Sequence, residues 1–416
     1  MKSIVTSIAA SSFFAALAIA QQPQYSVTDL GTFGGSFGVA YSVSNEGRVA
    51  GAANMPDGTQ RGFLSGIGST KYDLGTLGGP NSNMGGLNAS NVMALFAETS
   101  KKDPLGQDFC GYGTNLICLP AIWNGALTPL PTLGGNNGIA FAINDAGQAT
   151  GVTENSTKDS TCSQAHQALD FEAVLWGPNP GQVQSLPPLP GDTVGFALAL
   201  NSSGQVAGAS GTCANTVVVP FALAPHAVLW DHGTPISLGN LGGAMVAVAA
   251  GINDAGQVDG AADLPSEIPG FPGVQVHGFV WTQSTGMQDI GTVGSDFSSL
   301  PEQINNKGQM VGASCDDMGN CRAFLWQNKV MVDLNSLIPA NSPLYLMWAF
   351  AINEEGVIAG MAVDAGTGDV HAFRATPNPT ATADSLLPAV QSETRLMSLS
   401  ENARRLLRRR VGMIGW

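Results

Sequence analysis

The sequence has few charged residues, few aromatic residues and no long apolar run beyond its first residues. Only 12% of the 416 residues are charged and 7% are aromatic, whereas 53 are glycine. Scarce charge argues against long surface helices, and abundant glycine fits many short strands joined by tight turns. No segment after the N-terminus reaches about 18 uninterrupted apolar residues, so we expect no transmembrane segment. These absences predict an almost all-β protein.

Positive charge is also scarce over most of the chain. The 17 Lys and Arg residues face 31 Asp and Glu residues, which gives a formal net charge of −14. An acidic body repels phosphate backbones, so we expect no nucleic acid among its partners. The last residues are different, because 393–416 hold six arginines and only two glutamates.

The first twenty residues have the pattern of a signal peptide. Met1-Lys2 precedes an apolar run that ends at Leu17, and Ala18-Ile19-Ala20 has the form of a cleavage site. The pattern predicts a signal peptide over 1–20 and a secreted protein, extracellular or associated with the cell envelope. Six cysteines in an exported chain suggest disulfides, for which the sequence alone leaves fifteen pairings.

A repeated motif dominates the rest of the chain. A turn rich in glycine recurs as "DLGTFGG" (29–35), "DLGTLGG" (73–79), "LPTLGG" (130–135), "LGNLGG" (238–243) and "DIGTVG" (289–294). After each turn comes an alternating small and apolar segment that ends in Asn. A Gly-containing turn, two further short segments and a last short piece follow, as in "QVAGAS" (205–210) and "HAVLW" (226–230). Segments of this length and alternation are typical of strands.

The repeat can be counted by its asparagine. Seven copies occur, at Asn45, Asn88, Asn144, Asn201, Asn253, Asn305 and Asn353. Four strands in each of seven units predict a seven-bladed β-propeller over residues 21–376. The seventh unit has no fourth strand after "HAFR" (371–374), whereas the chain begins with an unpartnered strand, "YSVTDLG" (25–31). We predict that these two segments pair, which closes the ring and leaves no open sheet edge.

The repeated pieces resemble the extracellular HAF-repeat family, named for the His-Ala-Phe written here at 371–373. The resemblance covers about residues 25–375. It implies a secreted protein with a propeller-like array, and it implies no particular reaction. Unit two departs from the pattern, since Asn91 stands where the turn glycine is expected and "AIW" (121–123) replaces the HAF-like piece.

The recurrent residues have structural explanations. Glycine pairs allow positive φ and close backbone approach at the crossing from one blade to the next. The Asp of the turn accepts backbone N–H groups, with a ring of metal-binding carboxylates as the alternative for Asp29, Asp73, Asp289 and Asp333. Recurrent tryptophans pack between blades, with sugar stacking as the alternative for Trp123, Trp176, Trp230, Trp281 and Trp326. Repeat-marker histidines are expected to bond the backbone, namely His226, His277 and His371.

Strand alternation puts the loops between second and third strands on the same face as the blade-to-blade crossings. That face receives the long insertions 99–119, 154–171, 211–225 and 261–276, and all six cysteines. Local bridges are sterically easy for Cys110 with Cys118 and for Cys315 with Cys321. Cys162 and Cys213 then remain, in equivalent loops of adjacent blades. Rigid loops gathered on one face predict a recognition surface.

Catalytic and metal signals are weak. His166 lies near Ser163, Asp170 and Glu172, and His232 follows Asp231, but no G-x-S-x-G motif occurs. "DDMGN" (316–320) and "DAGTGD" (364–369) lack the full calcium-loop pattern. We therefore predict no catalytic residue, no metal and no cofactor.

The C-terminus is separate from the repeats. A linker is predicted over 377–397, followed by a basic amphipathic helix or tail over 398–416 that begins with the capping pair Ser398 and Glu401. Such a helix can contact an anionic envelope surface, and the alternative is a solvated terminus.

Three functional hypotheses follow. The first is a secreted, monomeric, non-catalytic binding or scaffolding propeller whose insertion-rich face takes an unknown extracellular ligand, a glycan or a protein. The second is an extracellular hydrolase or lyase that acts on glycans or peptides. The third is a structural cell-envelope protein tethered by the arginine-rich tail.

Overall fold

Repeating short strands build the whole described chain. A computed structural model describes residues 24–66, 68–162, 167–179, 181–218, 222–265, 274–378 and 397. These residues form seven antiparallel sheets of four strands each and one 3-10 helix, Leu334–Leu337. The fold is the predicted seven-bladed β-propeller. The predicted signal peptide, the tail over 398–416 and nearly all of the linker lie outside the described residues.

Blades one to four follow the chain in order. Blade one contains β2 (Gly38–Val43), β3 (Val49–Asn54), β4 (Gln60–Ser65) and β5 (Lys71–Asp73). Blade two contains β6 (Gly78–Leu87), β7 (Met93–Lys102), β8 (Leu116–Trp123) and β9 (Leu127–Pro129). Blade three contains β10 (Gly134–Ile143), β11 (Ala149–Lys158), β12 (Leu169–Trp176) and β13 (Val183–Leu186). Blade four contains β14 (Val194–Leu200), β15 (Val206–Gly211), β16 (His226–Asp231) and β17 (Thr234–Ser237).

Blades five to seven complete the ring. Blade five contains β18 (Ala247–Ile252), β19 (Val258–Asp263), β20 (Val276–Thr282) and β21 (Gly286–Gly291). Blade six contains β22 (Ser298–Ile304), β23 (Met310–Cys315), β24 (Cys321–Gln327) and β25 (Val330–Asp333). Blade seven contains β26 (Leu344–Ile352), β27 (Ile358–Asp364), β28 (Val370–Pro377) and β1 (Tyr25–Gly31). Blade two therefore has the same four strands as the other blades, and Asn91 takes the left-handed turn position with φ 60°.

The N-terminal strand closes the ring as predicted. β1 pairs antiparallel with β28, with Tyr25 opposite Pro377, Val27 opposite Ala375 and Asp29 opposite Phe373. Tyr25 is buried in an apolar cluster that also contains residues of blades six and seven. The first and last strands of the ring thus share one sheet and leave no unpaired strand between them.

A ring of amide hydrogen bonds joins the blades at their inner strands. In six blades an asparagine follows the first strand and donates from Nδ2 to the backbone carbonyl of the equivalent residue in the next blade. The links are Asn88 to Asn144 (3.2 Å), Asn144 to Asn201 (3.1 Å), Asn201 to Asn253 (3.2 Å), Asn253 to Asn305 (3.0 Å), Asn305 to Asn353 (3.0 Å) and Asn353 to Ser44 (2.8 Å). We call this end of the propeller the turn face.

Blade one corrects the predicted marker. The turn bonds place Ser44, and not Asn45, at the position of the repeat asparagine, because the amide of Ser44 donates to the carbonyl of Arg48 and the amide of Gly47 donates to Ser44. Asn45 holds the next position, where its Oδ1 accepts from the amide of Glu354 at 3.2 Å. Residue type alone misplaced the repeat by one position here. Serine is too short to bond the next blade, so this is the one gap in the amide ring.

We predict that Ser44→Asn stabilises the propeller, because the new Nδ2 can donate to the carbonyl of Asn88 as in the other six links. One added hydrogen bond contributes about 1 kcal/mol. Urea unfolding at constant m-value measures the gain. Asn201→Ala, which removes an existing link, should shift the midpoint in the opposite direction. Equal stability of Ser44→Asn and the wild type would contradict this account of the ring.

Every first strand also has a β-bulge near its end. The pairing with the second strand skips one residue in six blades and two residues, Gly85 and Gly86, in blade two. A bulge redirects the extra side chain. The first strands of a β-propeller surround its central channel, here called the axial channel. The skipped residues of these strands are partly exposed; they are Tyr41, Phe141, Leu198, Ala250, Glu302 and Phe350.

Candidate functional site

The crossings between blades form one end of the propeller, which we call the insertion face. Their first glycine has positive φ, 106° at Gly78, 104° at Gly134 and 105° at Gly242. The second glycine has no room for a side chain, since a Cβ on Gly135 would lie 2.3 Å from the Cβ of Glu154. The glycine pair is thus required by backbone conformation and by close approach, as predicted.

The repeated aspartates organise these crossings. Oδ1 of Asp29 accepts from the amide of Gly31 at 2.7 Å, and Asp73, Asp289 and Asp333 accept in the same way from the amide two residues later at 2.7–2.8 Å. This is the predicted Asx turn chemistry. One group of possible metal ligands, Asp29, Asp364 and His371, has its atoms within 4.8 Å of one another. Both of its aspartates bind turn amides.

The repeat-marker histidines bind carboxylates, which corrects the prediction that they bond the backbone. Nδ1 of His371 lies 3.0 Å from Asp29, Nδ1 of His277 lies 2.9 Å from Asp289, and Nδ1 of His226 lies 2.9 Å from Asp192. Burial alone would raise the pKa of Asp29, but the hydrogen bond and charge of His371 lower it below its usual value. The same contact raises the pKa of His371. The pair spans β28 and β1, so it belongs to the ring closure.

The insertions of blades two and three are joined through a buried carboxylate. Oε2 of Glu154 accepts from the backbone amide and the Nδ2 of Asn137, both at 3.0 Å. Its Oε1 accepts from Gln107 in the blade-two insertion and from Gln167 in the blade-three insertion, the latter at 3.0 Å. Burial raises the pKa of Glu154, and these hydrogen bonds oppose that shift. Glu154 therefore holds two neighbouring loops in one arrangement.

A disulfide and an apolar cluster extend this arrangement to blade four. The three disulfides are Cys110–Cys118, Cys162–Cys213 and Cys315–Cys321. The second joins the insertions of blades three and four. Beneath it lies an apolar cluster with members from blades two to five, among them Phe109, Phe171 and Ala224. The described parts of these insertions are packed against each other and form one surface.

Loss of Cys162–Cys213 should cost the most stability among the three bridges. It closes a loop with a sequence separation of 51, whereas Cys110–Cys118 has a separation of 8. In the chain-entropy model these loops contribute about 4 and about 2.5 kcal/mol. Urea unfolding of Cys162→Ala/Cys213→Ala beside Cys110→Ala/Cys118→Ala measures the difference. An equal or smaller loss for the first pair would contradict the assigned role.

Exposed apolar side chains also occur on the insertion face. Leu105 lies in the blade-two insertion, Met245 in the crossing into blade five, and Met318 in the blade-six loop, with 39%, 65% and 66% of their surfaces exposed. Exposed methionine is adaptable in contact with varied partners. These side chains give the face apolar contact points between its polar loops.

The tryptophans whose indole contacts are described pack between blades. Trp176 and Trp230 are fully buried, and their Nε1 atoms donate to the carbonyls of Pro131 and Pro187 at 2.8 and 2.7 Å. Both acceptors lie in the crossing that precedes the blade. The predicted packing role is confirmed at these two positions, where no face is open for a sugar.

The predicted histidine–acid clusters have no assembled catalytic arrangement in the described residues. His166 and Ser163 lie outside them. Nδ1 of His232 lies 2.8 Å from its neighbour Asp231 in an exposed turn of blade four. Glu172 accepts hydrogen bonds from Ser185 and, at 2.7 Å, from Asn155, so both of its partners lie within blade three. Burial and the nearby Asp159 raise the pKa of Asp170 to about 6.

Two carboxylates that the sequence analysis did not single out lie deep in the ring. Asp259 on β19 is fully buried, and Glu302 on β22 lines the axial channel. Comparing equivalent repeat positions would have found them, because the other six blades have apolar residues, glycine or threonine there.

Comparisons with known proteins give only distant structural similarities. No protein-family model matches the sequence, and no curated protein matches it significantly. The β-propeller domain of the trilobed protease from Pyrococcus furiosus, described as having an open velcro topology, has a TM-score of 0.48 at 9% identity, with 85% of this chain and 98% of that one covered. YCF48 bound to D1 peptide has a TM-score of 0.46 at 10% identity, with 86% and 97% covered. A puromycin-hydrolysing peptidase of Mycobacterium tuberculosis has a TM-score of 0.44 at 10% identity; 86% of this chain aligns with 55% of that one.

The described chain also contains no helix long and apolar enough to cross a membrane.

Proposed function

We propose that the protein is a secreted, non-catalytic binding propeller that uses the insertion face to hold an extracellular glycan or protein. The observation that carries the proposal is the joining of three neighbouring insertions into one packed surface. Glu154 links the insertions of blades two and three, and the Cys162–Cys213 disulfide links those of blades three and four.

The asymmetry between the two ends of the propeller supports this assignment. Where the insertions are absent, the same connection is short, as in the turn from Met55 to Thr59 of blade one. The turn face contains the repeated tight turns and the amide ring. Loops held in place by a rigid scaffold lose little entropy on binding, which favours recognition. Three disulfides suit an extracellular compartment.

A binding screen with loop variants tests the proposal. The full chain is applied to arrays of glycans and cell-envelope components, and the same samples are assayed for hydrolysis of glycan and peptide panels. In one variant, residues 104–114 are replaced by the Pro-Asp-Gly turn of blade one. Ser284→Ala, on the exposed turn of blade five at the other face, is the matched control.

We expect the wild type and Ser284→Ala to bind the same component. The shortened-loop variant should lose at least ten-fold in affinity while it keeps a cooperative melt. Equal binding by the shortened variant would place the ligand elsewhere. Turnover of a glycan or peptide that survives repurification would replace the proposal with the hydrolase or lyase hypothesis.

A further inference from the structure

The axial channel has one charged wall. At the bulge position that faces the channel, five blades place an apolar or aromatic side chain and blade two has glycine, whereas blade six places Glu302. Indole Nε1 of Trp348 donates to Oε1 of Glu302 at 2.9 Å. In the described structure Oε2 has no hydrogen-bond partner. Glu302 is therefore oriented by one neighbour and keeps an acceptor free beside the channel.

A second carboxylate, that of Asp259, lies in blade five, next to the blade that contains Glu302. Asp259 is 0% exposed, and neither Oδ1 nor Oδ2 makes a hydrogen bond of normal geometry within the described chain. Burial raises the pKa of Asp259, and the backbone amides of Asp259 itself and of Gly251 offset only part of this increase. A Cβ on Gly251 would lie 2.2 Å from Oδ1 of Asp259. Asp259 is thus directed at the inner strand β18, into space that a glycine leaves open.

Blade five alone has a carboxylate at the position of Asp259 among the seven second strands. The equivalent residue of the second strand is small or apolar in the other blades; these residues are Ala50, Ala94, Thr150, Ala207, Val311 and Ala359. No Lys or Arg forms an ion pair with Asp259 or Glu302 in the described residues. A buried charge without a partner is costly unless a proton or a ligand neutralises it.

Aromatic rings continue the wall from Glu302. Trp348 stacks on Phe350 with centroids 5.5 Å apart and an angle of 2° between the planes. Tyr41 meets Phe350 edge-on at 5.2 Å. Both Tyr41 and Phe350 are partly exposed and lie on first strands. A carboxylate beside partly exposed aromatic rings is a combination that attracts organic cations, because both the charge and the ring quadrupole favour them.

We propose that the axial channel binds an organic cation, an alkylammonium or guanidinium group, with its charge at Glu302 and Asp259 and its apolar part against Tyr41 and Phe350. A divalent metal fits less well. Calcium takes six to eight oxygen ligands, whereas here two carboxylates stand among apolar side chains and one of them already accepts from an indole N–H. This site is separate from the insertion face and does not depend on the function proposed there.

Calorimetric titration of the full chain tests the site, with benzylammonium and benzylguanidinium as probes, benzyl alcohol as their neutral analogue, and calcium. We expect both cations to bind at least ten-fold more tightly than the alcohol, and no heat from calcium at this site. Glu302→Gln keeps an acceptor for Trp348 but removes the charge, and it should weaken the cations at least ten-fold. Asp259→Asn should act in the same direction, and Glu46→Gln, an exposed carboxylate, should have no effect.

The cation can come from solution or from this chain. A full-length variant with Arg404, Arg405, Arg408, Arg409 and Arg410 changed to glutamine separates the two sources. Tighter probe binding in that variant identifies a tail guanidinium as the natural occupant, and unchanged binding identifies an external cation. Equal binding of benzylammonium and benzyl alcohol, or full binding by a folded Glu302→Gln variant, would overturn the proposal.

Discussion

A chain that begins at Thr32, without β1, is expected to lose the cooperative fold and to aggregate. β1 supplies the fourth strand of blade seven, and its register with β28 runs from Tyr25 opposite Pro377 to Gly31 opposite Ala372. Removing it leaves the row of backbone groups on β28 unpaired at an open edge. Such an edge is a template for pairing with other chains.

The same deletion opens the apolar core. Tyr25 is 4% exposed and Leu30 is 2% exposed, and each packs in a separate cluster of the closing region. Burial of two such side chains contributes about 4 kcal/mol by area, a large part of the net stability of a domain. Loss of Asp29 also removes the partner of His371.

Size-exclusion chromatography and a thermal melt followed by circular dichroism measure this effect. Addition of a synthetic peptide with the sequence Tyr25–Gly31 should recover soluble, cooperatively melting protein, because the missing strand can pair from solution. Ser26→Ala, an exposed substitution in the same strand, is the control and should melt like the wild type. A monomeric deletion variant with an unchanged melt would show that β1 is not needed for closure.

The repeats made the architecture predictable. Strand length, glycine position and the asparagine marker depend on local backbone conformation, so each unit could be recognised from its own residues. Gly47, Gly147 and Gly204, for example, have φ of 78°, 78° and 82° where the turn requires the left-handed region. The closure followed from counting strands, since an extra strand at one end matched a missing strand at the other.

Contacts between strands were harder to predict. Residue type indicates Asn45 as the repeat marker, whereas the turn hydrogen bonds place Ser44 at that position. His277 was expected to bond the backbone and instead meets Asp289, twelve positions away, because β20 and β21 are paired in that register. Partners of this kind depend on register and side-chain direction, which a single repeat does not specify.

The channel carboxylates were missed for a related reason. Asp259 lies in "QVDGAAD", which reads as an ordinary second strand, and Glu302 lies in "SSLPEQI". Nothing in either segment shows that the two strands meet beside one axis. The ring geometry brings them together, close enough that the charge of Asp259 adds to the effect of burial on the pKa of Glu302.

Asp259→Ala is expected to stabilise the propeller at high pH, although it removes a native side chain. Burial raises the pKa of Asp259 to about 7 and that of Glu302 to about 8. In the unfolded chain both groups titrate near their ordinary values of about 4. Between these limits the folded state holds more protons than the unfolded state. The contribution of these two carboxyls to the free energy of unfolding therefore falls as pH rises from about 4 to about 8 and does not change above that range.

Substitution removes the contribution of Asp259 to this fall. A pKa difference of about three units corresponds to about 4 kcal/mol, an upper bound because the two carboxyls interact. His371 changes stability in the same direction, since its raised pKa gives stabilisation at low pH that is lost as pH increases. Every variant keeps the contribution of His371, so the difference between variant and wild type isolates Asp259.

The matched design copies a blade that lacks the carboxylate. Blades four and seven place alanine at both positions, Ala199 with Ala207 and Ala351 with Ala359, so Gly251→Ala/Asp259→Ala rebuilds their arrangement in blade five. We expect the urea midpoint of Asp259→Ala at pH 8.5 to exceed that of the wild type, with little difference at pH 4.5, and Glu46→Gln to match the wild type at both. The double variant places a Cβ 3.1 Å from Cα of Gln303, so its midpoint measures whether blade five can adjust to the alanine pair. The same variants should lose benzylammonium binding. If Asp259 destabilises the fold at neutral pH and is also needed for cation binding, its role is in binding. If Asp259→Ala is instead less stable than the wild type at both pH values, Asp259 is a structural residue.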